Sequence, residues 1–294
     1  MPVFETDDLR VTAIDAGRVW LDGGAMFGVV PKPLWSRRTQ CDERNRIPLA
    51  MRCLLVEMSD ARVLVDTGVG AKESDKFKEI YRVENEGSPT RLEDSLRAAG
   101  VEPDDIDVVL STHLHFDHAG GNTRPGADGE PTAAFPNAEY VIRRQEWDFA
   151  HLDNERVKAS YLPHNFDPLE REGRIRFIEE DGEVVPGVAV RRTPGHTPGH
   201  QSVLIGAGDR RLFYLADLVP TVAHLPLPWI MGYDVEPLVT LESKRHALAE
   251  AVASGWTLAF EHDPEIAWGR PVESSPGRVE LVDQVEHSFT GGRE

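Results

Sequence analysis

Cysteine and long apolar runs are scarce in this chain of 294 residues. Its two cysteines, Cys41 and Cys53, are too few for a disulfide framework, and they lack the spacing of a metal site. No apolar run approaches the ~18 residues that a membrane-spanning helix needs. The first residues, "MPVFETDDLR", lack the basic start and the apolar centre of a signal peptide. These absences predict a cytoplasmic protein with no membrane partner.

Positive charge is also scarce. The chain has 50 acidic residues against 32 basic ones, only six of which are lysines, and its formal net charge is -18. A surface of this sign repels phosphate backbones, so we expect no nucleic-acid partner. Hydrophobic residues make up 40% of the chain, which is enough for a sizeable core and argues against global disorder.

Short β-type runs recur along the chain, with helical stretches between some of them. The pattern predicts helices within residues 88–100 and over residues 237–254, because each ends at a glycine. Clustered strands with interspersed helices favour an α+β fold in which helices cover the sheets. No linker is visible, so we predict a single domain over residues 1–294. The predicted strands cover residues 11–14, 52–57, 63–65, 108–110, 140–142, 175–178, 188–190, 202–205, 212–215 and 258–260.

Residues 22–50 do not resemble a regular element, because Pro31, Pro33 and Pro48 disfavour helices and central strands alike. A long irregular segment in a compact domain is often a lid or wall of an active site. A packed surface loop and a contact in a homodimer are the alternatives. We therefore predict an irregular insertion here, in an active-site or a dimer-contact role.

Three histidines and an aspartate crowd into the stretch "THLHFDHAGG", directly after an apolar run that predicts a strand. Alternate side chains of an extended segment point the same way, so His113 and His115 project together. Asp117 and His118 follow where the chain turns. Two imidazoles in chelating register, beside a carboxylate and a third imidazole, suit a borderline metal such as zinc. Histidines without a metal would instead repel one another or need several separate partners.

A catalytic zinc usually takes ligands from several chain segments, and three further candidates each follow a predicted strand. His196 lies in "TPGHTPGH", Asp217 in "LADL" and His262 in "FEHDP". Strand ends that converge on one rim would bring these side chains together with the first cluster. The candidate metal ligands are His113, His115, Asp117, His118, His196, Asp217 and His262.

These motifs together resemble those of the metallo-β-lactamase superfamily over about residues 52–264, and the four-residue cluster is highly specific. The resemblance implies a four-layer αβ/βα sandwich of two mixed sheets flanked by helices. It implies two Zn²⁺ ions per chain, although manganese, cobalt or iron also fits the ligand set. His113, His115 and His196 would hold one ion. Asp117, His118 and His262 would hold the other, and Asp217 would bridge the two. Asp66, in "VLVDTG", would support a metal-binding histidine from behind.

In that family a hydroxide shared by the two metals attacks the substrate, so Asp217 and Asp117 are the predicted catalytic carboxylates. Asp117 would carry the proton to the leaving group. The apolar loop residues near these segments predict a small-molecule substrate with an apolar group, although they also fit simple packing over the core. The predicted substrate contacts are Met26, Phe27, Phe116, His224 and Trp229.

The segments "DGGAMFGVVPKPLW" and "DLVPTVAHLPLPWIMGYD" resemble the branch of quorum-quenching N-acyl-homoserine lactonases and organophosphate hydrolases. Many of these lactonases have a tyrosine where this chain has Pro220, and His224 or Tyr233 is then the candidate to bind the substrate carbonyl. The resemblance implies a dinuclear hydrolase that opens a lactone or similar ester. The alternatives are a glyoxalase II type thioesterase, a phosphotriesterase, and a metal-binding sensor without catalysis. The mixed to acidic C-terminal segment argues against the thioesterase.

Overall fold

The computed structural model describes residues 1–127 and 129–287, and residues 288–294 of the predicted domain lie outside the described residues. The strands are β1 (Val3–Glu5), β2 (Leu9–Asp22), β3 (Arg46–Met58), β4 (Arg62–Val65), β5 (Val108–Leu110), β6 (Thr123–Pro125), β7 (Pro131–Ala133), β8 (Glu139–Arg143), β9 (Ile175–Ile178), β10 (Gly182–Val185), β11 (Val188–Arg192), β12 (Gln201–Ala207), β13 (Arg210–Tyr214), β14 (Thr257–Ala259), β15 (Ile266–Ser275) and β16 (Arg278–Glu286). The α-helices are α1 (Gly23–Phe27), α2 (Lys32–Trp35), α3 (Asp75–Tyr81), α4 (Arg91–Ala98), α5 (Phe116–Ala119), α6 (Arg144–Ala150), α7 (Asp167–Arg171) and α8 (Pro237–Ser254). The 3-10 turns cover Pro103–Asp105, Gly120–Asn122, Pro163–Asn165, Ala216–Leu218 and Val222–His224.

The chain divides into two compact units. Among the described residues, the first comprises residue 1 with residues 3–19 and 51–180, and the second comprises residue 2 with residues 20–50 and 181–287. This division does not test our assignment of the whole chain to one domain, which stays a prediction.

A mixed seven-stranded sheet runs in the order β1-β2-β3-β4-β5-β8-β9, and its strands lie in the first unit except for the ends of β2 and β3. The pairs β4–β5, β5–β8 and β8–β9 are parallel, so these strands all end at the same edge. The short apolar runs of β4, β5 and β8 are buried, as expected for central parallel strands. The loops after β4 and β5 therefore leave from one edge of the sheet, and they carry Asp66 and the histidine cluster.

The second unit contains a second mixed seven-stranded sheet, in the order β10-β11-β12-β13-β14-β15-β16. Its pairs are antiparallel except for the parallel pair β13–β14. Helix α8 packs on this sheet, and its Ala247, Leu248 and Ala251 join a buried cluster with Phe213 and Leu258. Pro237 begins the helix, and Gly255 ends it in the left-handed conformation at φ 69°.

The predicted α+β class is confirmed, with two mixed sheets and helices. Each predicted strand overlaps an observed one, and the predicted helix over residues 237–254 has the same bounds as α8. The sequence did not predict the hairpin of β15 and β16. Pro271 and Gly269 lie inside β15, and most of the hairpin's side chains are at least partly exposed, so no apolar pattern marks it. Among the described residues no helix is both long and apolar enough to cross a bilayer.

Residues 22–50 are more regular than we predicted, because the segment holds α1, α2 and the start of β3. Asp22 caps α1 by accepting a hydrogen bond from the amide of Ala25 at 2.8 Å. Pro33 falls in the first turn of α2, where a missing N–H costs no helical hydrogen bond. The prolines therefore shape this segment without excluding helices from it.

Candidate metal centre

Four candidate donors lie in the first unit, where the chain leaves β5 and enters the short helix α5. The rings of His113 and His115 are 4.6 Å apart, and those of His113 and His118 are 3.9 Å apart. Asp117 and His118 present ligand atoms within 4.8 Å of each other. All four side chains are buried, and Asp117 is 7% exposed. The predicted first cluster is therefore compact, as a metal site requires.

Asp66 orients this cluster from behind. It adopts a left-handed backbone at φ 57°, directly after β4, and is fully buried. Its Oδ1 accepts the amide of Thr112 at 2.8 Å, and its Oδ2 accepts the Thr112 hydroxyl at 2.7 Å. The same Oδ2 lies 3.2 Å from Nδ1 of His118, which must donate to it. This contact leaves Nε2 of His118 as the nitrogen that is available to a metal.

Two glycines after α5 let the cluster pack tightly on the turn after β4. A Cβ on Gly120 would collide with the backbone of Val69, and a Cβ on Gly121 would collide with the backbone of Thr67. The amide of Thr67 donates to the carbonyl of His118 at 2.7 Å. The motif "HAGG" therefore needs its glycines for close backbone approach.

Three candidate donors come together in the second unit from separate chain segments. Oδ2 of Asp217 lies 3.0 Å from Nε2 of His196, and its Oδ1 lies 3.0 Å from Nε2 of His262. One carboxylate thus faces two imidazoles, with a different oxygen toward each. That is the arrangement expected of a carboxylate that bridges two cations.

Each imidazole of the second unit is also held at its other nitrogen. Nδ1 of His196 donates to Oδ1 of Asp234 at 2.8 Å, and Nδ1 of His262 donates to the carbonyl of Ala50 at 2.6 Å. Both contacts direct Nε2 toward Asp217. Burial alone would lower the pKa of His196, but Asp217 and Asp234 outweigh it and raise the pKa to about 10. The surroundings of His196 therefore favour a positive charge.

His200 positions the backbone of Asp217. Its Nε2 accepts the amide of Asp217 at 3.2 Å, and its Nδ1 lies 3.0 Å from the carbonyl of Thr193. Ala216, just before Asp217, adopts a left-handed backbone at φ 45°. Such conformations are uncommon for residues other than glycine and concentrate at functional sites.

The predicted substrate contacts lie in two places. In the first unit Phe116 packs with Phe77 and Tyr81, at ring distances of 5.0 Å and 4.8 Å. In the second unit Phe27 is stacked on His224 at 4.5 Å, and Trp229 lies edge-on at 5.7 Å. Phe27 and Met26 are no more than 1% exposed. Of these second-unit residues, Trp229 alone is partly exposed.

His224 is occupied at both ring nitrogens. Its Nδ1 lies 2.8 Å from the Thr221 hydroxyl, and its Nε2 donates to the carbonyl of Met26 at 2.8 Å. Complete burial lowers its pKa to about 3, so the ring is neutral at ordinary pH. These contacts give His224 a structural role in this arrangement, and its predicted contact with substrate stays a prediction.

Several residues that support the donors were not predicted from the sequence. Asp234 ends the quoted segment "DLVPTVAHLPLPWIMGYD", but nothing in that segment marks it as a partner of His196, which it meets only through the fold. Glu146 is buried on α6, where its Oε1 accepts the amide of Leu114 at 3.0 Å and the hydroxyl of Tyr161 at 2.8 Å. The one signal available was Thr112, which directly precedes the first histidine and whose hydroxyl lies 3.1 Å from Nδ1 of His113.

Comparison with known proteins identifies one family. The family model described as the metallo-beta-lactamase superfamily matches residues 48–256. An N-acyl homoserine lactonase from a Bacillus species is 37% identical over 166 residues, which cover 54% of this chain and 59% of that protein. The chain thus spans about three fifths of the length of the curated relatives that it matches.

Solved structures extend the likeness over nearly the whole chain. A probable metal-dependent hydrolase from Staphylococcus aureus is 29% identical with a TM-score of 0.84, and the match covers 97% of this chain and 100% of that one. An N-acyl homoserine lactone hydrolase with N-hexanoyl-L-homoserine bound at its catalytic metal center is 26% identical with a TM-score of 0.64, over 90% and 94% of the two chains. The chain therefore belongs to the metallo-beta-lactamase superfamily and has its fold.

Proposed function

We propose that this protein is a dinuclear metal hydrolase that opens a lactone or similar ester. His113, His115 and His196 would hold one metal, Asp117, His118 and His262 the other, and Asp217 would bridge them. The observation that carries this proposal is Asp217, whose two carboxylate oxygens face two different imidazoles at 3.0 Å each. Membership of the superfamily supports it.

The chemistry of the donors fits zinc. Five imidazoles and two carboxylates, with no thiolate, form a set of nitrogen and oxygen ligands that borderline divalent metals prefer. Manganese, cobalt and iron accept the same set. Contacts behind His118, His196 and His262 fix which ring nitrogen is available, as metal-binding histidines need.

When bound, the two metals would polarise the ester carbonyl and lower the pKa of water toward about 7. Asp117 is the carboxylate that we expect to move the proton. It is 7% exposed, so a reacting group can reach it, and it is fixed to the first turn of α5. It would take a proton from the attacking water and pass it to the departing alkoxide.

The proposed substrate is an N-acyl-homoserine lactone or a close relative. Curated relatives are named N-acyl homoserine lactonases, and a solved relative holds an N-acyl homoserine product. Each unit carries aromatic side chains, the cluster of Phe77, Tyr81 and Phe116 in the first and Trp229 in the second. They suit an apolar acyl chain.

A homodimer also stays a prediction, as does a cytoplasmic location.

A hydrolysis panel with zinc-loaded protein tests the proposal. It contains homoserine lactones with short and long acyl chains, paraoxon, S-lactoylglutathione and a cephalosporin, with Asp217→Asn as the matched inactive control. We expect lactone opening well above the other reactions, and loss of it in the variant. Preferential hydrolysis of the thioester or the phosphotriester would contradict the lactone assignment. Lactone opening that survives in Asp217→Asn would contradict the dinuclear scheme.

A further inference from the structure

Residues 222–231, here called the 222–231 loop, begin shortly after Asp217 in the second unit. The loop is tied to the segment of His262 on one side, because Val222 donates its amide to Asp263 at 2.9 Å. Its apolar residues Trp229 and Ile230 are partly exposed. The loop has a single turn of 3-10 helix, Val222–His224, and is otherwise irregular, so its shape must come from outside contacts.

Lys244 supplies three hydrogen bonds to the loop. It lies on α8, is 1% exposed, and points its ammonium into the loop. Nζ donates to the carbonyls of Pro226 and Trp229, at 2.9 Å each, and to the carbonyl of His224. An ammonium has three N–H donors, so each one reaches a different carbonyl of the same loop.

A buried cation at this position lowers the free energy of unfolding, whereas an apolar side chain would not. Taking an ammonium out of water is unfavourable, and buried charges are commonly replaced by apolar residues without loss of stability. Burial lowers the pKa of Lys244 to about 7, with Asp234 opposing the shift, so the ammonium with its three donors is the main form below that pH. The neighbouring Ala247, Leu248 and Ala251 of α8 pack in an apolar cluster. The three carbonyl contacts are what a lysine provides here and a leucine does not.

The loop and the adjoining Gly232 contact residues 25–28, so the conformation of the loop also affects the position of that segment. His224 donates to the carbonyl of Met26 and is stacked on Phe27, and Gly232 donates its amide to the carbonyl of Ala25 at 2.7 Å. A Cβ on Gly28 would crowd the carbonyl of Ile230 at 2.5 Å. The position of Trp229, packed edge-on against Phe27, therefore depends on the loop that Lys244 holds.

We propose that Lys244 is a positioning residue for substrate selection: its ammonium fixes the 222–231 loop so that Trp229 forms a wall for the apolar part of the substrate. The inference rests on the proposed function, because it assigns this wall to the acyl chain of a lactone. Lys244 contacts no candidate metal donor and would affect binding of a long acyl chain rather than the chemical step.

Lys244→Met shortens the side chain by one atom, keeps an unbranched apolar stem and removes the three donors. Hydrogen exchange of the loop peptide, followed by mass spectrometry, should quicken about tenfold or more, the factor expected when at least one net hydrogen bond is lost. KM for dodecanoyl-homoserine lactone should rise by a similar factor, with kcat changed less than about threefold. KM for butanoyl-homoserine lactone and the bound zinc should stay unchanged. Arg245→Met is the matched control, because Arg245 is the next residue of α8 and its side chain is 48% exposed.

A loop in Lys244→Met that exchanges as slowly as in the parent protein would overturn the inference. So would equal increases of KM for short and long chains. If Lys244→Met does not fold, Lys244→Leu is measured in the same way, and an unchanged loop and KM there would overturn it too. Failure of the parent protein to open any lactone would refute the proposed function, whereas the exchange measurement would still decide whether Lys244 holds the loop.

Discussion

In the first unit, four candidate donors lie within residues 113–118, whereas the second unit gathers three donors from positions 196, 217 and 262. The first set is built locally, by a strand end, one turn of helix and two glycines. The second set depends on three strand exits and on partners as distant as Asp234 and Ala50. A local set can be read directly from the sequence. A dispersed set becomes visible only where each donor follows a strand, and its supporting residues are not visible at all.

The largest effect should come from the residue that joins the dispersed set. Asp217→Asn removes the negative charge that faces both His196 and His262 while it preserves the shape of the side chain. We expect zinc affinity and turnover to fall by more than the roughly 10–100-fold that is typical for loss of a partner behind a ligand. Titration with a zinc indicator and lactone kinetics measure both. Affinity within threefold of the parent protein would remove Asp217 from the bridging position.

The supporting aspartates should differ in importance between the two units. Asp66 holds both Thr112 and His118, whereas Asp234 holds the imidazole of His196 alone. Asp66→Asn should therefore cost nearer 100-fold in zinc affinity and Asp234→Asn nearer 10-fold, within the range for such partners. The same titration compares them, and circular dichroism checks that both variants fold. The reverse order would show that the dispersed set depends more on its support than the local one.

Zinc binding should weaken as the pH falls, and the second unit should account for it. The pKa of His196 is raised to about 10, so without a metal the ring carries a proton that zinc must displace. Below that pKa each unit of falling pH should weaken binding about tenfold for each displaced proton. Calorimetry between pH 7.5 and 9 in buffers of different ionisation enthalpy measures the released proton. Affinity that is independent of pH over this range would contradict the protonated ring.

The smallest effect should come from one buried hydroxyl in each unit. Thr112→Val removes the hydroxyl between Asp66 and His113, and Thr193→Val removes the hydroxyl that lies 2.9 Å from Nδ1 of His200. Thr112→Val should lose about 1–3 kcal/mol of unfolding free energy, because Nδ1 of His113 loses a buried partner. Thr193→Val should lose less, because Nδ1 of His200 keeps the carbonyl of Thr193. Turnover should fall several-fold in Thr112→Val, and less in Thr193→Val because His200 acts only through the backbone of Asp217. Urea unfolding and kinetics separate the two effects.

Much of the fold and of the donor set could be predicted from the sequence. Apolar runs in the central strands and the glycine that ends α8 are local signals, and the structure confirms both. The hairpin of β15 and β16 was missed because most of its side chains are at least partly exposed and Gly269 and Pro271 interrupt the apolar pattern of β15. The contact of Asp234 with His196 was missed because the two residues are 38 positions apart and meet only through tertiary packing. The contacts of Lys244 were missed for the same reason, over separations of up to 20 positions.

The central claim is that both donor sets serve one pair of metals. Anomalous diffraction at the zinc edge, from crystals of the zinc-loaded protein, tests it most directly. We predict two zinc peaks about 3.5–4 Å apart, the spacing usual for two-metal sites, with Asp217 in contact with both. Zinc bound by the histidines of one unit alone, or no peak beside Asp217, would contradict the claim.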